Sequence, residues 1–521
     1  MVATAQLQLH EEELPRELLS GLGPHLARQR WYAGAGSPAS VEVEQSGCLA
    51  ELASGGRLLW AVATVGVRED DEPPGDGSRD APPPQVAGDA RDSYQLVLAE
   101  RPDREAAELA AARTDTLMAS ALVATVGGKT YYDATVDPEM SLALLEVASG
   151  GAEHAKRARP LGVEQSNSSV VYDDRVILKL FRRLSPGPNP DAEVTSSLAQ
   201  AGFSHVAAPV LRWRKDQTDL AFGQQYLAGG ADGWALALTS LRDLYSPAKP
   251  SFGANDNLED EDATRPGLQG GDFAAEAARL GRVTAEMHIS MAGAFGTSGD
   301  WCQRWQQLRE SLNAQIATLV PELAAASEPL FQRLGEVADL GPALRGHGDY
   351  HLGQVMRTDA GWYVLDFEGE PNRPLEERLS PASTMKDVAG MLRSFHYAAY
   401  FAIAERGPAA ASPELEGLAQ AWEERNRAAF MRGYLGYEGI DELLPGSPED
   451  RGSLCLAFEV EKALYELSYE RAFRPAWAGI PMDALHRLLA GPLEEMPSLS
   501  SRPHGDAIDL EAREHSGGRL G

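Results

Sequence analysis

The alternation of apolar and polar residues predicts a strand-rich first part of the chain and a helix-rich second part. After a helical pattern that begins at residue 14, residues 57–67 and 93–100 form apolar runs that are typical of strands. Residues 168–183 form two further short runs on either side of Asp173 and Asp174, which predicts a hairpin.

From residue 272 onwards the apolar positions recur with helical spacing, and residues 345–371 are a clear strand-rich interruption. A strand-rich unit followed by a helical unit is a two-lobed α+β plan, and ligands commonly bind in the cleft between two such lobes. We divide the chain into a small mixed subdomain, a strand-rich lobe, a helical lobe and a disordered polar tail, at residues 1–150, 151–230, 231–498 and 499–521.

The charge and the cysteines limit the choice of partners and compartment. The 521-residue chain carries 47 Lys and Arg against 77 Asp and Glu, a net charge of -30. Such a surface repels nucleic acid and anionic membranes, so we expect neither as a partner. Three scattered cysteines, an N-terminus without a signal-peptide pattern and the lack of an apolar run of roughly 20 residues predict a cytoplasmic protein.

Two acidic stretches, residues 69–92 and 254–262, are rich in residues that cannot build a core. We expect both to be mobile surface loops that the chemistry does not require.

Residues 345–371 concentrate His347, Asp349, His351 and Gln354 before an apolar run that ends at Asp366. The two histidines have the spacing of zinc ligands on a helix, but the glycines around them disfavour a helix and no third ligand follows at a suitable spacing. A serine hydrolase would need a Gly-x-Ser-x-Gly turn, which is missing here. The simplest alternative is an ordinary loop whose polar side chains bind neighbouring backbone.

Phosphoryl transfer accounts for more of these residues. A kinase needs a carboxylate that accepts the proton of the attacking hydroxyl, then an oxygen ligand for Mg²⁺, and then a second Mg²⁺ ligand on a separate strand. Asp349, Gln354 and Asp366 follow one another in that order, and the apolar run before Asp366 supplies the strand.

The strand-rich lobe offers the other half of such a centre. Lys179 interrupts an apolar strand, where an unpaired cation is costly, so it needs an anion: phosphates of a nucleotide or the carboxylate of Glu193 on the next helix. The polar turn before the hairpin offers hydroxyls and amides to nucleotide phosphates, at Gln165, Ser166, Asn167 and Ser168. Considered alone, a lysine such as Lys179 is more often a strand-end residue whose ammonium reaches water.

Several long segments resemble the bacterial maltokinases and the related actinobacterial glucosamine kinases, namely residues 164–194, 347–355, 364–378, 386–399 and 458–470. Those enzymes form part of the aminoglycoside phosphotransferase-like branch of the protein-kinase-like fold. The resemblance implies a bilobal α+β fold with an extra N-terminal cap subdomain, a strand-rich nucleotide-binding N-lobe and a mainly helical catalytic C-lobe.

The resemblance also implies ATP as phosphate donor, Mg²⁺ as cofactor and a sugar hydroxyl as acceptor. It assigns Asp349 as the catalytic base, Lys179 with Glu193 as the phosphate-binding pair, and Gln354 and Asp366 as metal ligands. Glu368 and Glu370 follow just after Asp366. Each could contact either the second metal ion or the acceptor sugar. The hinge that faces adenine is implied at Gln224, Gln225, Tyr226 and Leu227.

The acceptor sugar stays open between two classes. The ammonium of an amino sugar favours a carboxylate-rich pocket, whereas a disaccharide favours aromatic platforms. Candidate acceptor residues in the helical lobe mix both types, and each has an ordinary packing role as its alternative: Asp387, Trp422, Glu423, Asn426 and Glu466. In the catalytic loop, His351 is a further candidate, although we expect it chiefly to orient backbone.

We expect glucosamine, phosphorylated on its 6-hydroxyl, with maltose 1-phosphorylation as the alternative. His396 stands where the maltokinase pattern often has an acidic residue, which weakens the case for maltose. A third hypothesis is a catalytically inactive binding module, and the presence of Lys179, Asp349, Gln354 and Asp366 argues against it.

Overall fold

The computed structural model divides into two units, Met1–Asp232 with Gln354–Leu379, and Gly233–Gly353 with Ser380–Gly521. It describes residues 2–32, 38, 40–66, 92–112, 117–161, 167–246, 272–299, 301–370, 373–407 and 412–490. The predicted loop 254–262 and tail 499–521 lie outside these ranges, as does the loop 69–92 except for Asp92.

The first unit contains a seven-stranded sheet whose main order is β2-β3-β4-β5-β7-β6, with β11 paired to β5. Its strands are β2 His10–Glu11, β3 Ser40–Glu51, β4 Arg57–Gly66, β5 Asp92–Pro102, β6 Leu122–Val126, β7 Lys129–Asp133 and β11 Arg183–Leu184. Alternate residues of β4 belong to two different cores, since Trp60 packs in one cluster and Leu59 in the other. The long apolar runs of this region therefore belong to a sheet that is covered on both faces.

A six-stranded sheet of the same unit has the order β1-β12-β13-β10-β9-β8. Its strands are β1 Ala3–Gln6, β8 Ala158–Leu161, β9 Asn167–Tyr172, β10 Val176–Phe181, β12 Pro209–Lys215 and β13 Thr218–Gln225. The predicted hairpin is present, because β9 and β10 pair antiparallel around Asp173 and Asp174, with φ values of 49° and 53°. Three residues, 173–175, connect the paired Tyr172 and Val176, and Asp tolerates the left-handed backbone of this tight turn.

A buried glutamine joins the seven-stranded and the six-stranded sheets of the first unit. Gln95 on β5 donates from Nε2 to the carbonyls of Phe181 (3.0 Å) and Leu220 (2.9 Å), and its Oε1 accepts from Trp60 Nε1 at 2.8 Å. Both polar atoms of the Gln95 side chain therefore have hydrogen-bond partners within the apolar interface, and these bonds fix the position of one sheet against the other.

The strand-rich segment after residue 353 forms a third, three-stranded sheet in this unit, with the order β14-β17-β18. Its strands are β14 Ala231–Asp232, β17 Val355–Thr358 and β18 Gly361–Val364. Helical segments of the first unit are α1 Arg16–Ala27, α2 Asp103–Ala112, α3 Leu117–Ala121, the 3₁₀ turn Ala134–Val136, α4 Pro138–Ser149, α5 Pro190–Gln200 and α10 Leu375–Arg378.

The second unit is mainly helical, with a small sheet of β15 Thr297–Ser298, β16 Ala343–Leu344 and β19 Ala382–Ser383. Its helices are α6 Gly233–Leu244, α7 Ala274–Phe295, α8 Cys302–Leu319, α9 Glu328–Glu336, α11 Met385–Ala404, α12 Pro413–Leu435, α13 Pro448–Phe473 and α14 Gly479–Ala490. Shorter 3₁₀ turns lie at Pro321–Leu323, Ile440–Leu443 and Pro475–Trp477, and another at Leu352–Gln354 crosses the unit boundary.

Helices α7 and α12 approach so closely that Gly281 and Gly433 leave no room for a Cβ against the facing backbone. Within the ranges that the structure describes, no helix has the length and apolarity that crossing a membrane requires. Cys48, Cys302 and Cys455 are free thiols.

Candidate active site

Lys179 lies on β10 of the first unit, 8% exposed, and its Nζ donates to Asp191 Oδ2 at 2.8 Å. Asp191 is buried in the first turn of α5, whose N-cap Asn189 accepts hydrogen bonds from the backbone of Asp191 and Ala192. Burial alone would raise the pKa of Asp191, but Lys179 beside it holds that pKa below its usual range. The lysine therefore has the buried anion that the apolar strand predicts.

The carboxylate that lies at hydrogen-bond distance from Lys179 belongs to Asp191, whereas the predicted partner was Glu193. Residues two apart on a helix point to nearly opposite sides, so Asp191 and Glu193 face different directions. The cap at Asn189 places Asp191 on the side of Lys179 and leaves Glu193 partly exposed. The Asn-Pro-Asp start of α5 is a helix N-terminus signal in the sequence, and reading its phase identifies Asp191.

Asp366 follows β18 in the same unit and has a φ of 62°, a strained backbone conformation for a residue with a side chain. Gln354 Nε2 lies 3.4 Å from Asp366 Oδ2, so the structure brings together the two predicted metal ligands. The next backbone amide, Phe367 N–H, donates to Asp191 Oδ1 at 3.1 Å. Asp191 thus connects Lys179 to the loop that carries Asp366.

Glu368 completes this cluster. Its Oε1 accepts from Asn167 Nδ2 at 3.2 Å and from Asn189 Nδ2 at 3.3 Å. Desolvation, together with the carboxylates of Asp366 and Asp191, raises the pKa of Glu368 to about 7. The carboxylates of Asp366 and Asp191 therefore repel that of Glu368, and a divalent cation would relieve this repulsion. Within the described residues, no three acidic, histidine or cysteine side chains are already grouped as a metal site.

The other predicted nucleotide residues have mixed positions. Ser168 Oγ accepts from Arg182 Nε at 2.8 Å, whereas Gln165 and Ser166 lie outside the described residues. The predicted hinge is the end of β13 and the segment after it, where Gln224 is buried and the remaining three residues are more exposed, namely Gln225, Tyr226 and Leu227.

In the second unit, Asp349 lies in the loop after β16 and pairs with Lys462 of α13. Lys462 Nζ donates to Asp349 Oδ1 at 2.9 Å, and His351 Nε2 lies 3.8 Å from Asp349 Oδ2. Burial would raise the pKa of Asp349, but Lys462 and then His351 hold it far below its usual range. As expected of His351, its Nδ1 accepts from the Gly353 backbone N–H at 3.0 Å.

Asp387, predicted to line the acceptor site, instead holds this loop in place. Its carboxylate accepts from the backbone N–H groups of His347 (2.7 Å) and Gly348 (2.9 Å) and lies 3.2 Å from His288 Nε2. Only 3% of Asp387 is exposed, and a Cβ on Gly346 would come within 2.7 Å of its Oδ2. An acidic residue on a helix gave no sequence signal for this backbone contact.

Three other acceptor candidates are buried and contact protein partners. Trp422 Nε1 donates to Ser240 Oγ at 3.0 Å, Asn426 Nδ2 to the Trp422 carbonyl at 2.7 Å, and Glu423 accepts from His396 Nδ1 at 2.9 Å. Glu370 is also buried and pairs with Arg373 in the first unit. Glu466 differs from these because its side chain is 14% exposed, although Arg393 Nη2 pairs with it at 2.6 Å.

Comparison with known proteins supports the assignment of the fold. The phosphotransferase enzyme family model matches residues 157–429, and the maltokinase N-terminal cap domain model matches residues 25–137. A glucosamine kinase of Mycolicibacterium smegmatis is 29% identical over 357 residues, which cover 66% of this chain and 82% of the relative. A glucosamine kinase of Streptacidiphilus jiangxiensis is 27% identical over 367 residues, 66% of this chain and 76% of that one.

Among solved structures, one crystal form of a glucosamine kinase superposes with a TM-score of 0.55 at 21% identity, covering 90% of this chain and 99% of that chain. A glucosamine kinase in complex with glucosamine, ADP and inorganic phosphate gives a TM-score of 0.52 at 22% identity and covers 92% of this chain and 99% of that chain. The predicted kinase-like fold with an N-terminal cap is confirmed. The chain belongs to the phosphotransferase enzyme family.

Proposed function

We propose that this protein is an ATP- and Mg²⁺-dependent sugar kinase that converts glucosamine to glucosamine 6-phosphate. The observation that carries the proposal is the buried Lys179–Asp191 pair, which is hydrogen-bonded through Phe367 N–H to the loop of Asp366. A buried lysine that is fixed beside a carboxylate-bearing loop is the arrangement by which kinases bind a nucleotide phosphate and its metal.

The donor side of the reaction falls to the first unit. Lys179 would bind the phosphates of ATP, and the solved complex of a glucosamine kinase with ADP supports a nucleotide of this kind. Gln354, Asp366 and Glu368 would hold Mg²⁺, since hard oxygen donors are the ligands that this ion prefers. Bound Mg²⁺ supplies neutralisation of the negative charge on the phosphate oxygens.

The acceptor side falls to Asp349 in the second unit. The acceptor O–H bond breaks, its proton passes to the Asp349 carboxylate, and the hydroxyl oxygen forms a bond to the γ-phosphorus. The electron pair of the cleaved β–γ phosphoanhydride bond leaves with ADP. Asp387 contributes by fixing the backbone of the loop, because a displaced base loses its alignment with the hydroxyl.

Glucosamine is the favoured acceptor because α13, the helix whose Lys462 contacts Asp349, also carries the carboxylate of Glu466. Glu466 lies four residues after Lys462 on α13, and residues at this spacing share a helix face. A glucosamine ammonium that binds there would compete with Arg393 for the Glu466 carboxylate. The names of both curated relatives support the same acceptor.

Maltose is the second candidate, and the match of residues 25–137 to the maltokinase cap domain favours it. An acceptor screen with Mg²⁺-ATP and glucosamine, glucose, maltose and an aminoglycoside separates the two, with the product located by phosphorus NMR. Turnover of glucosamine at its 6-hydroxyl, abolished by Asp349→Asn, is the expected result. A clear preference for maltose would transfer the assignment to the alternative, and no turnover with any sugar would favour the inactive binding module.

A further inference from the structure

Lys462 contacts the catalytic loop from a separate helix, and neither the proposed nucleotide site nor the proposed metal site uses it. Its Nζ lies 2.9 Å from Asp349 Oδ1, with side-chain exposures of 18% for Lys462 and 15% for Asp349. The ammonium also lies 5.0 Å from the centroid of the Tyr465 ring, within cation–π range. A partly buried lysine that is held between a carboxylate and a ring has one defined position.

The two oxygens of Asp349 are in different surroundings. Oδ1 accepts the hydrogen bond from Lys462. Oδ2 lies 3.8 Å from His351 Nε2. On the same loop, the Nδ1 of His347 accepts a hydrogen bond from the backbone N–H of Asp349 at 3.4 Å. Lys462 therefore fixes one oxygen of the carboxylate, and His351 is a neighbour of the other.

We propose that Lys462 is a positioning residue for the reaction: it holds Oδ1 of Asp349 so that Oδ2 receives the proton of the acceptor hydroxyl. This inference rests on the proposed role of Asp349 as the base. A hydrogen-bonded ion pair fixes the rotation of the carboxylate, and a fixed acceptor oxygen aligns the hydroxyl for attack.

The same contact keeps the base in its active form between turnovers. After phosphoryl transfer the proton lies on Asp349, and a neutral carboxyl next to an ammonium loses the ion pair. Lys462 thus favours release of that proton to solvent and return of the carboxylate. Its ammonium is the largest of the charges that hold the pKa of Asp349 down against the effect of burial.

The test compares Lys462→Met, Lys462→Arg, Asp349→Asn and the double variant Lys462→Met/Asp349→Asn by steady-state kinetics with Mg²⁺-ATP and glucosamine. We expect Lys462→Met to lower kcat by about 10- to 100-fold, with the KM for ATP changed less than about twofold. An acidic limb should appear in its pH–rate profile between about pH 5 and about pH 9. Lys462→Arg, which retains the cation, should recover part of kcat.

The double variant distinguishes a residue that acts through Asp349 from one that acts independently. Once Asp349 is Asn, the further substitution of Lys462 should change kcat less than about twofold, because coupled residues are not additive. Lys215→Met is the control, since it removes another partly buried lysine, one that lies over the Trp60 ring of the first unit.

Wild-type kcat and pH profile in Lys462→Met would overturn the inference, and so would a loss that multiplies with that of Asp349→Asn. A lower melting temperature with an unchanged pH profile would assign Lys462 a structural role and also overturn it. Failure of the proposed function is distinguishable, because Asp349→Asn would then retain wild-type turnover whatever residue occupies position 462.

Discussion

Lys179 Nζ lies 2.8 Å from Asp191 Oδ2, and the two side chains are 10% and 1% exposed. Because removing one partner of a buried pair leaves the other charge uncompensated, Asp191→Ala should lower the free energy of unfolding by about 3–5 kcal/mol. Lys179→Ala should also weaken productive ATP binding. Urea denaturation measures the loss of stability in Asp191→Ala, and the KM for ATP measures the weaker binding in Lys179→Ala. Gln200→Ala is the control at an exposed position of the same helix and should change stability by less than about 0.5 kcal/mol.

Asp366 is a proposed metal ligand and has a left-handed backbone conformation. A substitution that tests its role must therefore introduce a residue that tolerates this conformation. Asp366→Asn does so, since Asn also adopts positive φ values, and it removes the charge. We expect the Mg²⁺-dependent activity to be lost, measured as turnover against Mg²⁺ concentration. Asp359→Asn, in the exposed turn between β17 and β18, should behave as wild type. A normal Mg²⁺ dependence in Asp366→Asn would place the metal elsewhere.

Asp387 should act through the catalytic loop rather than through the sugar. Asp387→Ala leaves two buried backbone N–H groups and His288 without their partner, at a cost of about 1–3 kcal/mol for each unsatisfied group. We expect a lower melting temperature and a lower kcat, with an unchanged KM for the sugar. Gly346→Ala should mimic this change, because its Cβ would displace the Asp387 carboxylate. A selective rise in the KM for sugar would restore the acceptor role that the sequence suggested.

Glu466 should set the preference for an amino sugar. A charged hydrogen bond to the ammonium contributes about 1.5–3 kcal/mol, or roughly 10- to 150-fold in kcat/KM for glucosamine over glucose. Glu466→Gln should reduce this ratio towards one and leave glucose turnover nearly unchanged. Wild-type efficiency for glucosamine should also fall at alkaline pH as the amine deprotonates. Equal efficiencies for glucosamine and glucose in the wild type would contradict the amino-sugar assignment.

His25 should make the protein less stable in acid. Burial lowers the pKa of His25 from 6.5 to about 4, against the opposing effect of the Asp133 charge, and the charge of Arg182 lowers it further. The unfolded state therefore binds more protons than the native state in this window, and stability falls as the pH decreases from 6.5 to about 4, by at most about 3 kcal/mol. Melting temperatures across this range should show a shallower slope for His25→Gln, and the exposed His10→Gln should leave the slope unchanged.

The sequence predicted the elements that local patterns specify. The hairpin around Asp173 and Asp174 follows from apolar alternation and turn residues, and Lys179 stands out because a cation in an apolar strand needs a partner. Gln354 and Asp366 were predicted as a pair, and their side chains meet in the structure.

The parts that the sequence did not predict depend on contacts between distant segments. Nothing in the pattern around Asp387 indicates that its carboxylate binds the backbone of residues 347 and 348. Lys462 lies far along the chain from Asp349, and a lysine on a polar helix face is otherwise a solvated residue. The choice of Asp191 over Glu193 required the phase of α5, which depends on where the helix begins.

The pairing of β1 with β12 has a consequence for the order in which the chain folds. Ala3 lies beside Leu211 in parallel register, so the strand made early in synthesis has no partner until the ribosome has released β12. Until then its unpaired backbone groups resemble an open sheet edge, which is prone to pair with other chains. A nascent chain that pauses before residue 211 would therefore be exposed to aggregation, and a bulky group joined just before Ala3 would interfere with the pairing of β1 with β12.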